Sequence, residues 1–170
     1  MMNGLAEGAL EAALYSLNQD VNRRALKRRL VMRAIAPSLV VASSAIVLVL
    51  GLLHLLYTFR GRKLHPRDPD LHVRMNEVSP VITRQTTMWA CWVGFNASHS
   101  YGLIFFGLVY GYLAIAHSAL LFQSPYLLLL GLLLLVGYAV LAKLYWFSAP
   151  FRGVLLSAAL YLAGLALGWT

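Results

Sequence analysis

A single cysteine, Cys91, stands in the whole chain. It leaves no way to form an intramolecular disulfide or a Cys-x-x-Cys redox pair, which excludes dithiol oxidase chemistry. Charge is also scarce. Asp, Glu, Lys and Arg make up 12% of the residues, against about 25% in soluble domains. No acid lies within any of the long apolar runs, so proton pumping and intramembrane carboxylate chemistry find no candidate group. There is no His-Glu-x-x-His and no nucleophile with a base at usable spacing. Interrupted hydrophobic segments and internal repeats, the marks of secondary transporters, are missing too. The first 20 residues mix apolar and acidic types, with the basic block after them, so a cleavable signal is not expected.

What the chain has in excess is hydrocarbon. Hydrophobic types reach 60% of 170 residues, well above the ~45–50% of soluble domains. The net charge of +8 is concentrated in two blocks, residues 23–33 and 60–84. Both flank apolar runs, so the lipid bilayer and its anionic headgroups are the expected partner and nucleic acid is not.

Four apolar runs are each long enough to cross ~30 Å of hydrocarbon: residues 37–59, 88–117, 124–147 and 150–169. The expected fold class is all-α: a polytopic membrane protein with four transmembrane helices in a bundle, plus short amphipathic surface helices. Residues 1–31 form a separate amphipathic and basic segment, and residues 32–170 the four-helix transmembrane domain. In the first segment Leu10, Leu14, Leu17 and Val21 recur at helical spacing, as in a helix lying at headgroup level or a loose tail. Met32 offers a second start that would make the segment dispensable. Pro37 suits the first turn of span one. Ser124-Pro125 suits the start of span three, and Asp68-Pro69 the start of a short loop helix with Leu71, Met75 and Val78 along one side. Ser79-Pro80 should end that helix. Lys143, Tyr145, Trp146, Arg152 and Trp169 read as interface anchors. The last two connections are very short, which makes spans two, three and four antiparallel neighbours.

Basic residues decide which way round the bundle sits. Arg60, Arg62, Lys63, Arg67, Arg74 and Arg84 fall on one side with Lys143 and Arg152, and the block at 23–33 falls on the other. The first group is the larger, so the positive-inside rule puts the 60–85 loop in the cytoplasm and both termini outside.

Span two carries the sharpest feature. On a helical wheel Trp89, Trp92, Asn96, His99, Ser100, Leu103, Gly107, Tyr110 and His117 fall on one face. Gly94, Ser98 and Gly102 form a small-residue ridge behind it, fit for close approach by another helix of the chain or of a second copy, a homo-oligomer. Span one turns Ser43, Val47, Leu50, Gly51, His54, Tyr57 and Thr58 to one side. Antiparallel packing then brings His54 and Tyr57 towards Asn96, His99 and Ser100. Polar groups at membrane depth face protein, water or a ligand. Three readings stay open: a hydrogen-bonded staple between helices; a pocket for a small hydrophobic molecule or lipid lined by Trp92, Asn96, His99, Ser100, His54 and Tyr57; and a metal or haem site on His99 and His54. No cofactor follows from the residues alone, and no further strong ligand lies in the spans. The loop residues His65, Asp68, Asp70 and His72 fit no metal motif. Arg84, Arg60, Arg62 and Lys63 suit lipid phosphates.

Two runs, HLLYTFRGRKLHPRD at residues 54–68 and MNEVSPVITRQTTMWACWVGFNASHSYG at residues 75–102, resemble an uncharacterised family of small four-span bacterial inner-membrane proteins. Size and layout also resemble the DoxX-like four-helix membrane proteins. The resemblance implies the four-helix fold and a bacterial inner (cell) membrane; it carries no activity and transfers no catalytic residue. The residues themselves are read as those of a small-ligand or lipid-binding protein or of a small subunit in a larger membrane complex, with a metal- or haem-binding redox protein as the alternative.

Overall fold

In a computed structural model, residues 2–168 are described, apart from the side chains of residues 2–14, 16, 17, 29 and 33. Among these residues the fold is all-helical. Its elements are α1 (Met2–Phe59), α2 (Pro69–Glu77), α3 (Met88–Ala116), α4 (Ser118–Gln123), α5 (Pro125–Tyr145) and α6 (Ser148–Gly168). Within α1, the stretch Asn18–Phe59 is apolar enough to cross a membrane, as are α3, α5 and α6 in full. The chain is a multi-pass membrane protein with a four-helix bundle. Trp169, expected as an anchor, lies outside the described residues.

The termini follow local chemistry. Asp68 caps α2 by accepting from the Asp70 N–H at 2.9 Å, with Pro69 at the first helical position. Val78 closes it, one residue before Ser79-Pro80. The Thr87 hydroxyl accepts from the Ala90 N–H at 3.2 Å and Ser124 from the Leu127 N–H at 3.3 Å, which satisfies amides the helices cannot use. Pro37 differs from expectation. It sits inside α1, not at its start, because the residues before it continue the same helix. At ~1.5 Å per residue α1 is about 87 Å long, far more than one bilayer crossing. Its described side chains from Asn18 to Arg28 are exposed. The connection at 117–124 is also not a plain loop, since it forms the short helix α4.

Helix packing is set by where backbones can approach. α1 packs closely against both α3 and α6, and α6 against α5. A Cβ at Gly51 would meet Leu103 and Ile104, and one at Gly107 would meet Leu48 and the Ser44 carbonyl. Gly164 sits in the same way on Val40 and Ala36. These three glycines draw α3 and α6 onto α1. Spans two and three, expected as antiparallel neighbours, meet through side chains while their backbones keep apart. Tyrosines fill the gap and donate to carbonyls: Tyr110 to Leu127 at 2.7 Å across α3 and α5, and Tyr161 to Leu128 at 3.1 Å across α6 and α5. Phe106, Tyr110 and Tyr161 form the aromatic centre with Leu128 and Leu135. Between α1 and α6, Ser43 and Ser157 bring their hydroxyls to 2.8 Å, and Ser157 donates to the Ser43 carbonyl at 3.0 Å.

Among the described residues the ridge on α3 takes no close helix backbone. Nothing lies within 4 Å of a Cβ at Gly94, and Ser98 is exposed. Gly102 faces only the Tyr138 side chain. Along α5, Leu128, Gly131, Leu135 and Ala142 make a narrow buried seam. Leu129, Leu133, Val136 and Val140 stand exposed around it, as a lipid-facing surface requires.

Candidate functional site

Antiparallel packing of α1 on α3 sets His54 opposite Asn96. His54 Nε2 and Asn96 Oδ1 are 2.9 Å apart. Asn96 uses its amide nitrogen on its own helix, donating to the Trp92 carbonyl at 2.8 Å. Ser100 donates to the Asn96 carbonyl at 2.8 Å, and Thr58 to the His54 carbonyl at 2.8 Å. His54 Nε2, both polar atoms of the Asn96 amide and the Ser100 hydroxyl thus find partners among themselves and the adjacent turns, as groups at membrane depth require.

His99 is built differently. Its ring lies edge-on to three others: His54 with centroids 5.4 Å apart, Tyr138 at 5.2 Å and Trp146 at 4.6 Å. Among the described residues no side chain or backbone group hydrogen-bonds its imidazole. The imidazole is half-buried, with aromatic walls on several sides and both ring nitrogens still to be used. Tyr138 donates at 3.4 Å to the His99 carbonyl, which fixes α5 against this point of α3.

The structure therefore joins His54, Asn96 and His99, and turns the other expected lining residues elsewhere. Trp92 donates its indole N–H to the Leu64 carbonyl at 3.1 Å and pins the loop to α3. Tyr57 carries the Lys63 ammonium over its ring at 3.8 Å, a cation–π contact. Ser100 is fully buried and bonded back to its own helix. Two members come from α5. Tyr138 lies in a nearly pure leucine run, and Trp146 at the end of it reads as an interface anchor. A tyrosine well inside such a run is the one signal that could have found them, because a phenol at membrane depth needs a polar partner.

Above the cluster, towards the loop, the His65 and His72 rings lie tilted to each other with centroids 4.7 Å apart, and both contact Trp89, His65 tilted at 4.7 Å and His72 edge to face at 4.5 Å. Asp68 is occupied as the α2 cap. Among the described residues no three His, Cys, Asp or Glu side chains converge as metal ligands. His54 and His99 meet edge to face, with no gap in which a macrocycle plane could lie between them. Arg60, Arg62, Lys63 and Arg84 are exposed, where they could meet headgroups. A groove of about 510 Å³ opens at the other end of the bundle, lined by Pro37, Ser118, Phe122, Gln123 and Gly168 among others. It lies at the opposite end of the bundle from His54 and His99. Comparison of the chain with protein-family models, curated proteins and solved structures finds no match.

Proposed function

We propose that this chain is an accessory or ligand-binding protein of the bacterial inner membrane, a member of the small four-span family that residues 54–68 and 75–102 resemble. It holds a small hydrophobic molecule or a lipid through His99, beside the staple that ties α1 to α3. The observation that carries this reading is the contrast within the cluster. His54, Asn96 and Ser100 each have a side-chain hydrogen bond within the fold, while the His99 imidazole has aromatic walls and no hydrogen bond of its own among the described residues. An imidazole in that state suits an amphiphile with a hydroxyl, carbonyl or phosphate oxygen at one end and an apolar body against Tyr138 and Trp146. Arg60, Arg62, Lys63 and Arg84 then meet headgroups on the cytoplasmic side.

Native mass spectrometry of protein extracted gently from its own membrane tests this. The expected result is a retained small adduct that His99→Ala loses and that Trp92→Phe keeps. An identical adduct pattern in wild type and His99→Ala overturns the reading and leaves the cluster as a helix staple. The same spectra report a larger complex or a second copy seated on the open Gly94–Ser98 face.

A further inference from the structure

The connection between α2 and α3 carries an apolar tip that the rest of the fold does not cover. The Thr83 N–H donates to the Pro80 carbonyl at 3.2 Å, which makes residues 80–83 a turn with Val81 and Ile82 at its two corners. Corner positions ordinarily take Gly, Asn, Asp, Pro or Ser. Here they hold two β-branched aliphatic residues, with no positive φ at either. The backbone tolerates them, so their exposure is what needs a cause. Val81 is 109% exposed and Ile82 91%, the two highest values among the exposed large hydrophobics.

The tip is held in that posture. The Gln85 N–H donates to the Thr83 hydroxyl at 3.1 Å. The Met88 N–H donates to the Val78 carbonyl at 2.8 Å, closing the loop onto the first residue of α3. Since α3 begins a membrane crossing at Met88, the closed loop stands at headgroup level, beside the acyl-chain boundary. Arg84 follows the tip and is exposed. Glu77, before the tip, is paired with Arg74 at 3.2 Å, and no acidic residue follows it in the chain. Among the described residues this leaves Arg84 as the unpaired charge next to the tip, of the sign that attracts anionic phosphates. Exposed apolar side chains next to a cationic one are the pattern of an interfacial membrane contact.

We propose that the 80–83 turn is a membrane wedge. Val81 and Ile82 insert at the acyl-chain boundary of the bilayer, and Arg84 stays with the phosphates. This rests on the reading of α3 as a membrane span. The test uses the full chain in nanodiscs of phosphatidylcholine and phosphatidylglycerol, with Cys91→Ala as background and one environment-sensitive fluorophore attached through Ile82→Cys. Separate samples carry it through Val81→Cys, through Arg67→Cys in the exposed loop, or through Phe105→Cys on an exposed face of α3. Lipids brominated near the headgroup end report insertion at 81 and 82, lipids brominated at mid-chain report position 105 near the middle of α3, and aqueous iodide reports solvent. At 82 and 81 the expected result is lipid quenching at least half that at 105, with iodide quenching reduced several-fold from that at 67. Iodide quenching equal to that at 67, without lipid quenching, overturns the wedge. Shielding from both quenchers also overturns it and indicates a protein cover. If the label at 105 escapes lipid quenching as well, the spanning assignment itself fails.

Discussion

His54 on α1 and Asn96 on α3 are joined by a hydrogen bond of 2.9 Å between residues 42 positions apart in the chain. The bond sits near the loop end of a helix pair that is otherwise held by apolar contacts and glycine approaches. It acts as a register pin, because sliding α1 by one residue along α3 breaks it. Interhelical polar contacts in membranes contribute about 0.6–2 kcal/mol. His54→Ala and Asn96→Ala should each lower stability by that order, and the double variant should lose little more than either single one. Unfolding by steric trapping in bicelles checks this through a double-mutant cycle. Full additivity would mean that the two side chains act separately.

Glycines on α3 should respond in opposite directions. At Gly107 an added Cβ would stand 2.6 Å from Leu48 Cβ and 2.9 Å from the Ser44 carbonyl, and backbone cannot swing away as a side chain can. Gly107→Ala should therefore push α1 and α3 apart and cost about 1–3 kcal/mol. Gly94 has open space at the same atom, so Gly94→Ala should be neutral or gain up to about 1 kcal/mol from helix propensity. The same unfolding assay ranks the two. A loss at Gly94 equal to that at Gly107 would point to a second helix on the open ridge.

Span positions were legible because hydrocarbon thickness fixes helix length, and caps such as Asp68 and Ser124 were legible because the capping chemistry is local. Helix adjacency was harder to read. A short connection fixes that α3 and α5 run antiparallel, but it says nothing of their distance, which Tyr110 and Tyr138 set by reaching across to carbonyls. The long α1 was hidden for a related reason. A proline near the expected start looks like a first-turn residue, and only the continuing helix before it shows otherwise. In the cluster, Asn96, His99 and His54 stood out as polar residues in apolar helices. Tyr138 and Trp146 did not, since aromatic residues also suit lipid and the interface. The unused imidazole of His99 depends on where every neighbouring donor points, which no spacing rule encodes.

Two adjacent serines on α1 give a second test of buried polar balance. Ser43 is paired with Ser157 at 2.8 Å. Ser44, equally buried, has no hydrogen-bond partner for its hydroxyl among the described residues. Removing one member of a satisfied pair strands the other, whereas removing an orphan relieves a desolvated group. Ser157→Ala should cost about 1 kcal/mol or more, and Ser43→Ala with Ser157→Ala together should cost less than the sum of the singles. Ser44→Ala should be neutral or gain up to about 1 kcal/mol. A loss at Ser44 as large as at Ser157 would mean that its hydroxyl has a partner in the membrane.

Topology follows from a contest between basic blocks. The loop from Arg60 to Arg84, with Lys143 and Arg152, carries eight basic residues, and the block from Arg23 to Arg33 carries six on the opposite side. The positive-inside rule acts over short segments near span ends, and both blocks qualify. The majority should place the loop in the cytoplasm, so a reporter active only outside the cytoplasm, fused after Thr170, is expected to be active. With the margin this small, neutralising one block should move the balance predictably. Arg23, Arg24, Lys27 and Arg28 changed together to Gln should raise the fraction in that orientation. The same change at Arg60, Arg62 and Lys63 should lower it and give a cytoplasmic reporter signal. Responses in the reverse order would show that the N-terminal block, not the loop, is the cytoplasmic anchor.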